Sequence, residues 1–350
     1  MATHRVSQPE FVWIPGHGPD EQARHHLLQA FPRPTKLMGE AWFMSAERTM
    51  YPEALSTPVE KLDLEIVGRM FDQIVCGPPC FGQLEEWQNW FHYLLPRLLP
   101  RAFRRQTFTY VAEWLAGGMF SQYPGEIGDE PYRGFQADVF ATLGQALMST
   151  AVWEGPKLKW QDGLFRQRKR HGKDWWYLDE TSPPISALLF FCLKYLRPSQ
   201  IDAWFHSVVA IECPLWRSQL IVWFTGAQRM LRGEITQPKQ FGDLEWRVKW
   251  EWDHVLSGNY TGSFPHASTL VDARGDFIAH NGRCDMDPAH DIAFIPKVNL
   301  VAFCEIYTAL LPRRARVEFS RQVYDVPLLA AEMGGIAEEF IELEMTSAMT

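Results

Sequence analysis

The densest run of reactive side chains lies between residues 272 and 291, which holds Asp272, Asp276, His280, Asp285, Asp287, His290 and Asp291. Carboxylates and neutral imidazoles are oxygen and nitrogen donors for a divalent cation, and a held cation can turn a bound water into a nucleophile. His280, Asp285, Asp287, His290 and Asp291 are therefore the metal candidates, and Glu251, Asp253 and His254 can complete such a site if their helix packs against the loop. The competing reading is a solvated loop that caps the following helix, because Asp, Asn and Gly are also what turns require. Asp287-Pro288-Ala289-His290-Asp291 does not have the helical spacing of a His-Glu-x-x-His zinc motif.

Other groups carry less chemistry. Cys76-Gly77-Pro78-Pro79-Cys80 resembles a redox dithiol but has three intervening residues instead of two and no strand before it, so a Pro-rich helix stop accounts for it. His17, His25 and His26 offer imidazoles near the start of the chain. Adjacent histidines on a helix diverge by about 100° and cannot both face one site, so His25 and His26 read as a surface pair. The sequence contains no G-x-S-x-G elbow, no phosphate-cradling loop ending in Gly-Lys-Ser/Thr and no G-x-G-x-x-G. The chain therefore leans away from an enzyme, and no cofactor is expected.

Aromatic residues are the next signal. Fifteen Trp and 23 Phe are many for 350 residues; most should be core anchors, since each buries a large area. Two stretches, 153–177 and 246–252, instead combine Trp with charge, and Trp, Tyr and Arg are the residues enriched at binding hot spots. The candidate partner-binding residues are Trp160, Trp175, Trp176 and Tyr177, together with Glu338, Glu339 and Glu342 of an acidic terminal helix. The alternative for the rings is that they cover the joint between two lobes.

The elements that must position these groups are helical. Leu62, Ile66, Val67, Met70, Phe71 and Ile74 recur at three and four residues, and Thr57-Pro58-Val59-Glu60 before them fits a capping box with proline at the first helical position. Gly77-Pro78-Pro79 should stop that helix. Further helices are expected over 20–31, 37–50, 84–95, 107–123, 135–153, 185–196, 198–211, 214–231, 243–256, 293–311 and 326–344, with Pro96 and Pro100 kinking or ending the one before them. Residues 268–271 and 277–279 read as a small hairpin or ordered loop. The fold class is mainly α: either an irregular bundle or an array of HEAT-like helical pairs, with a long loop or β-hairpin insertion near 257–291. The organisation is an irregular cap (1–56), an N-terminal helical lobe (57–155), a Trp-rich basic connecting segment (156–182) and a C-terminal helical lobe (183–350).

A net charge of −8 argues against a general phosphate-seeking surface, so general nucleic-acid binding is not expected and a basic partner suits the chain better. The apolar stretches are too short or too interrupted to span a bilayer. Without a basic start, an apolar core and a cleavage site, the N-terminal stretch points to the cytoplasm, where the six cysteines stay reduced. In general character, acidic, helical and Trp-rich, the chain resembles protein-binding helical-repeat proteins and bacterial immunity-type inhibitors. That resemblance implies a protein-interaction module that neutralises a basic partner. The alternatives are a metal-dependent enzyme with its site in 272–291 and a small-molecule binding protein with an aromatic-lined cavity.

Overall fold

A computed structural model describes residues 10–38, 50–81, 85–102, 108–159, 165–170, 173–178, 183–236 and 293–346. These are mainly helical, as the three-and-four spacing implies. Helix α1 (Glu21–Ala30) is capped by Asp20, whose carboxylate accepts from the Ala23 amide at 2.8 Å. Met38 and Met50, the edges of the helix expected over 37–50, instead pair in an isolated antiparallel bridge; residues 39–49 lie outside the described residues.

The capping box at Thr57 is not used. Thr57 ends the short helix α2 (Glu53–Ser56) in extended conformation, and its carbonyl accepts from Arg33. A 3-10 turn (Val59–Lys61) follows, and α3 (Leu64–Phe81) starts from Asp63, whose carboxylate takes the Glu65 amide at 2.8 Å. Nor does α3 stop at Gly77. Pro78 and Pro79 lack the N–H groups that would reach the Ile74 and Val75 carbonyls four residues back. Those two carbonyls are served from a neighbouring helix: Ser121 Oγ donates to Val75 at 2.7 Å and Gln122 Nε2 to Ile74 at 3.0 Å.

Helix α4 (Glu85–Ala102) likewise runs through Pro96 and Pro100. Its Trp87, Trp90, Phe91, Leu94, Leu95, Leu98 and Leu99 are all buried, and burial at about 1.5–3 kcal/mol per large side chain outweighs a local proline cost of about 3 kcal/mol. Helix α5 (Phe108–Gln122) lies against α3 and α4. Gly118 permits that approach, since a Cβ there would overlap the Phe91 ring.

The helix expected over 135–153 is shorter. Helix α6 (Phe135–Thr142) tightens into a 3-10 segment (Leu143–Met148) and gives way to β1 (Trp153–Glu154), paired with β2 (Lys157–Leu158). The N-terminal strand-like segment docks on this turn. Trp13 Nε1 donates to the Gly144 carbonyl at 2.8 Å and Gln145 Nε2 to the Val12 carbonyl at 2.9 Å.

Within the segment read as an aperiodic connector, β3 (Phe165–Arg170) and β4 (Lys173–Leu178) form an antiparallel hairpin, with Phe165 opposite Leu178 and Arg170 opposite Lys173. Three helices follow, α7 (Pro183–Tyr195), α8 (Pro198–Ala210) and α9 (Pro214–Leu231), each opened by a proline whose missing N–H costs nothing there. In α9 every residue from Trp216 to Gln228 is buried, so it is the central helix. The chain leaves at Thr236 and returns at Phe294, whose amide donates to the Thr236 carbonyl at 2.9 Å. The helix expected over 243–256 and the loop or hairpin insertion of 257–291 lie outside the described residues.

Three helices close the fold: α10 (Lys297–Leu310), α11 (Arg313–Tyr324) and α12 (Pro327–Glu342). The sequence reading omits α11. Contacts skip along the chain, with α5 against α7, α8 against α10, and α9 against α10, α11 and α12. One continuous hydrophobic core runs through all of them, from Phe11 and Trp13 to Phe340 and Met345. Among the described residues no helix is long and apolar enough to cross a membrane.

Candidate functional site

Several buried polar side chains share an occupation: they donate to backbone carbonyls at turns and helix ends. Arg101 Nη1 reaches the Val59 and Leu62 carbonyls, both at 2.8 Å. Arg316 serves Leu311 and Ile341, at the ends of α10 and α12. Asn299 on α10 donates to Leu193, Lys194 and Leu196 at the end of α7, and the Tyr195 hydroxyl donates to Met119 and Tyr123 at the end of α5.

Lys194 belongs to the same set. Its Nζ donates to the Pro124 carbonyl at 2.7 Å and to the Phe294 carbonyl at 2.6 Å, and it stands 4.9 Å from the Phe294 ring centroid. Two dipoles and a ring face favour the ammonium, while burial pulls its pKa down to about 7. Phe294 opens the last three helices, so Lys194 fastens that return point to α7.

A second buried group is His92 on α4. Its ring stacks on Phe31 at 4.4 Å between centroids, with Phe135 edge-on, and its Nε2 lies 2.5 Å from the Tyr123 hydroxyl. Burial lowers the imidazole to about 4 and raises the Tyr123 phenol. The hydroxyl therefore donates and the neutral imidazole accepts. Beside it the Tyr132 hydroxyl donates to Asp138 at 2.7 Å, and His26 stands 3.5 Å from the other carboxylate oxygen. This line of groups ties α1 to α6. The thiols of Cys192 and Cys304 are pushed up by burial, the latter to about 11, away from the thiolate form that attacks or ligates.

The sequence candidates fall into two groups. His280, Asp285, Asp287, His290 and Asp291 lie outside the described residues, as do Glu251, Asp253, His254, Trp160 and the Trp246–Trp252 stretch. Among the described residues no group of three or more His, Cys, Asp or Glu is placed to hold a metal ion. His25 bonds Gln29 within α1.

The remaining partner-binding candidates lie on two elements that touch. Trp175, Trp176 and Tyr177 are consecutive in β4, and β4 lies alongside α12, which carries Glu338, Glu339 and Glu342. Segments about 160 residues apart in sequence thus share one neighbourhood. The three glutamates are not equivalent. Glu338 is exposed and adds to the rise of the nearby Tyr324 phenol, which burial chiefly causes. Glu339 is half-buried and accepts from Gln228 Nε2 at 3.2 Å. Glu342 pairs with Arg313 at 2.5 Å, and that hydrogen bond holds its carboxyl below the usual range.

The hairpin register also sorts residues of the segment that the sequence offers as a basic, Trp-rich connector. Arg166 stands opposite Tyr177, Arg168 opposite Trp175 and Arg170 opposite Lys173; these six share one face. Phe165, Gln167, Lys169, Asp174, Trp176 and Leu178 share the other. The signal was present as the two-residue spacing of Arg166, Arg168 and Arg170, which places all three on one side of a strand.

No protein family, curated protein or solved structure matches the chain.

Proposed function

We propose that this chain is a protein-interaction module, of the bacterial immunity-inhibitor kind, that takes a basic partner on the surface made by α12 and β4. The observation carrying the reading is the neighbourhood of a Trp-Trp-Tyr strand and an acidic terminal helix. Large aromatic residues supply most of the binding free energy at protein interfaces, and carboxylates at the rim set partner choice and encounter rate. Glu338 and Glu342 are both exposed on α12; Glu342 is engaged by Arg313 and Glu339 by Gln228, so Glu338 is the carboxylate offered to a partner's cation. A cytoplasmic setting is part of the proposal: Cys192, Cys213 and Cys304 are free and buried, as suits a reducing compartment.

The test is affinity capture from the source cells with the full chain and three variants. Glu338→Lys and Trp176→Ala are expected to lose a stoichiometric basic protein that the wild type and Asp202→Lys retain; Asp202 is exposed on α8, a helix not packed against α12 or β4. Equal retention by all four, or a wild type that captures no stoichiometric partner, would remove the reading.

A further inference from the structure

The segment from Glu10 to Gly18 is held the way a bound peptide is held. It joins no helix, and its ladder contact is the single bridge of Gly18 with Ser149. Side chains and turns of other elements meet its polar groups instead. The Trp13 amide donates to Ser207 Oγ at 2.8 Å, the Val12 carbonyl accepts from Gln145 Nε2 at 2.9 Å, and the Trp13 indole donates to the Gly144 carbonyl at 2.8 Å. These partners lie 194, 133 and 131 positions away along the chain. The Trp13 ring meets Trp204 and Trp216 edge-on, at 5.6 and 5.9 Å between centroids, and Phe11 meets Phe140 at 5.2 Å. Backbone read by polar side chains, with aromatic anchors in apolar slots, is how extended peptides are recognised.

The grip ends abruptly and a turn follows. Trp13 is 1% exposed and the next residue, Ile14, is 46% exposed. Ile14-Pro15-Gly16-His17 then forms a type II turn, with the His17 amide on the Ile14 carbonyl at 3.0 Å, proline second and Gly16 third at φ +82°. Helix α1 beyond it has its own anchorage, through the Asp20 amide on the Ala141 carbonyl at 2.8 Å and its packing on α6. Opening this turn therefore frees residues 10–18 while α1 stays in place. Extended, the stretch from Trp13 to Asp20 spans about 24 Å, enough to cross to a molecule packed alongside.

We propose that residues 10–18 are an exchangeable strap, and that the slot formed by Phe140, Gly144, Gln145, Trp204, Ser207 and Trp216 takes the strap of a second copy of this chain. The slot fits the sequence Phe-x-Trp, and every copy carries that sequence on the same Pro-Gly turn. Each hydrogen bond and ring contact given up within one copy is remade with the other, so the exchange is governed by the turn and by association alone. The strap in its own slot is an inhibitory contact, because a tethered segment outcompetes a free one until concentration favours the pair. This reading is independent of the protein partner proposed above.

The test uses the full chain and a fluorescein-labelled peptide with the sequence of residues 10–18, read by anisotropy. Trp13→Ala loosens the resident strap at its anchor, and Gly18→Val at its far end, where a Cβ would overlap the Gln145 carbonyl. Both leave the slot's own residues unchanged. Trp13→Ala is expected to bind the peptide at least about 100-fold more tightly than the wild type, Gly18→Val also more tightly, and neither to bind a peptide that itself carries Trp13→Ala. By light scattering, the wild type at high concentration is expected to form a dimer that excess peptide dissolves, while the Trp13→Ala chain stays monomeric. Circular dichroism checks folding, and recovery of a lost fold on adding the peptide supports the proposal. Folded variants that ignore the peptide overturn it. So does loss of fold in both variants without recovery, since a slot that exists only with its own strap is core. A wild type that stays monomeric at every concentration, or a dimer that Trp13→Ala retains, overturns it as well, because the strap then serves only its own copy or the copies meet elsewhere. None of these outcomes depends on Glu338, Trp176 or capture of a basic protein.

Discussion

Acidification should expose the cost of burying His92. In the unfolded chain its imidazole protonates near 6.5, whereas in the fold burial holds it neutral down to about 4. Between those values the unfolded state binds the extra proton, so stability falls as pH falls through that window and is fully present above it. At about 1.4 kcal/mol per pH unit, the integrated loss by pH 4 is about 3 kcal/mol. His92 is 4% exposed, so solvent screening takes little from this figure. The assay is urea denaturation at pH 7.5 and pH 4, for the wild type and for His92→Phe. A phenyl ring keeps the stacking on Phe31 and Phe135, and Gln88 still bonds the Tyr123 hydroxyl. All other titrations are common to both proteins, so the wild type should lose about 3 kcal/mol more than the variant. Equal losses would show that the ring is charged or solvated in the fold, and the reasoning from burial would fail.

Three further outcomes follow from the buried donors. Lys194 has a folded pKa of about 7 against 10.5 unfolded, so the unfolded state holds more protons between those values and stability should rise with pH from 7 to 10; Lys194→Met should flatten that rise in urea titrations. Ser121→Ala combined with Gln122→Leu strips the donors from the Ile74 and Val75 carbonyls opposite Pro78 and Pro79 and should cost about 1–3 kcal/mol per orphaned carbonyl, measured as a lower urea midpoint. Both amide atoms of Gln219 are buried without a hydrogen-bond partner, so Gln219→Met should stabilise the protein by about 1 kcal/mol or more; a lower thermal midpoint would indicate that the amide is satisfied.

Helix positions were readable because the apolar spacing that buries Leu62, Val67, Met70, Phe71 and Ile74 is a one-dimensional pattern. Helix ends were not, because they depend on distant donors. Nothing within 57–81 announces that Ser121 and Gln122 take over the carbonyls the two prolines abandon, or that Arg33 claims Thr57. Helix α11 was missed for a related reason. Arg313-Arg314-Ala315-Arg316 follows Leu-Leu-Pro and reads as a stop, yet Pro312 begins the next helix and Arg316 is buried on carbonyls. The hairpin was hidden because its Arg166–Arg168–Arg170 alternation is polar, not oily. Of the candidate site, the residue types were legible and the contact of their two elements was not: no local pattern links β4 to α12. His92 and Lys194 sit inside apolar runs, Trp90-Phe91-His92-Tyr93-Leu94 and Phe190-Phe191-Cys192-Leu193-Lys194, and that context was the available sign of burial.

The surface assigned to a protein partner is tested most directly by photo-crosslinking in the source cells, with a photoreactive residue placed at position 338, at 176 or at 202. The account predicts that one basic protein is crosslinked from both 338 and 176 and not from 202. Capture of that protein from 202, or from neither 338 nor 176, would contradict it.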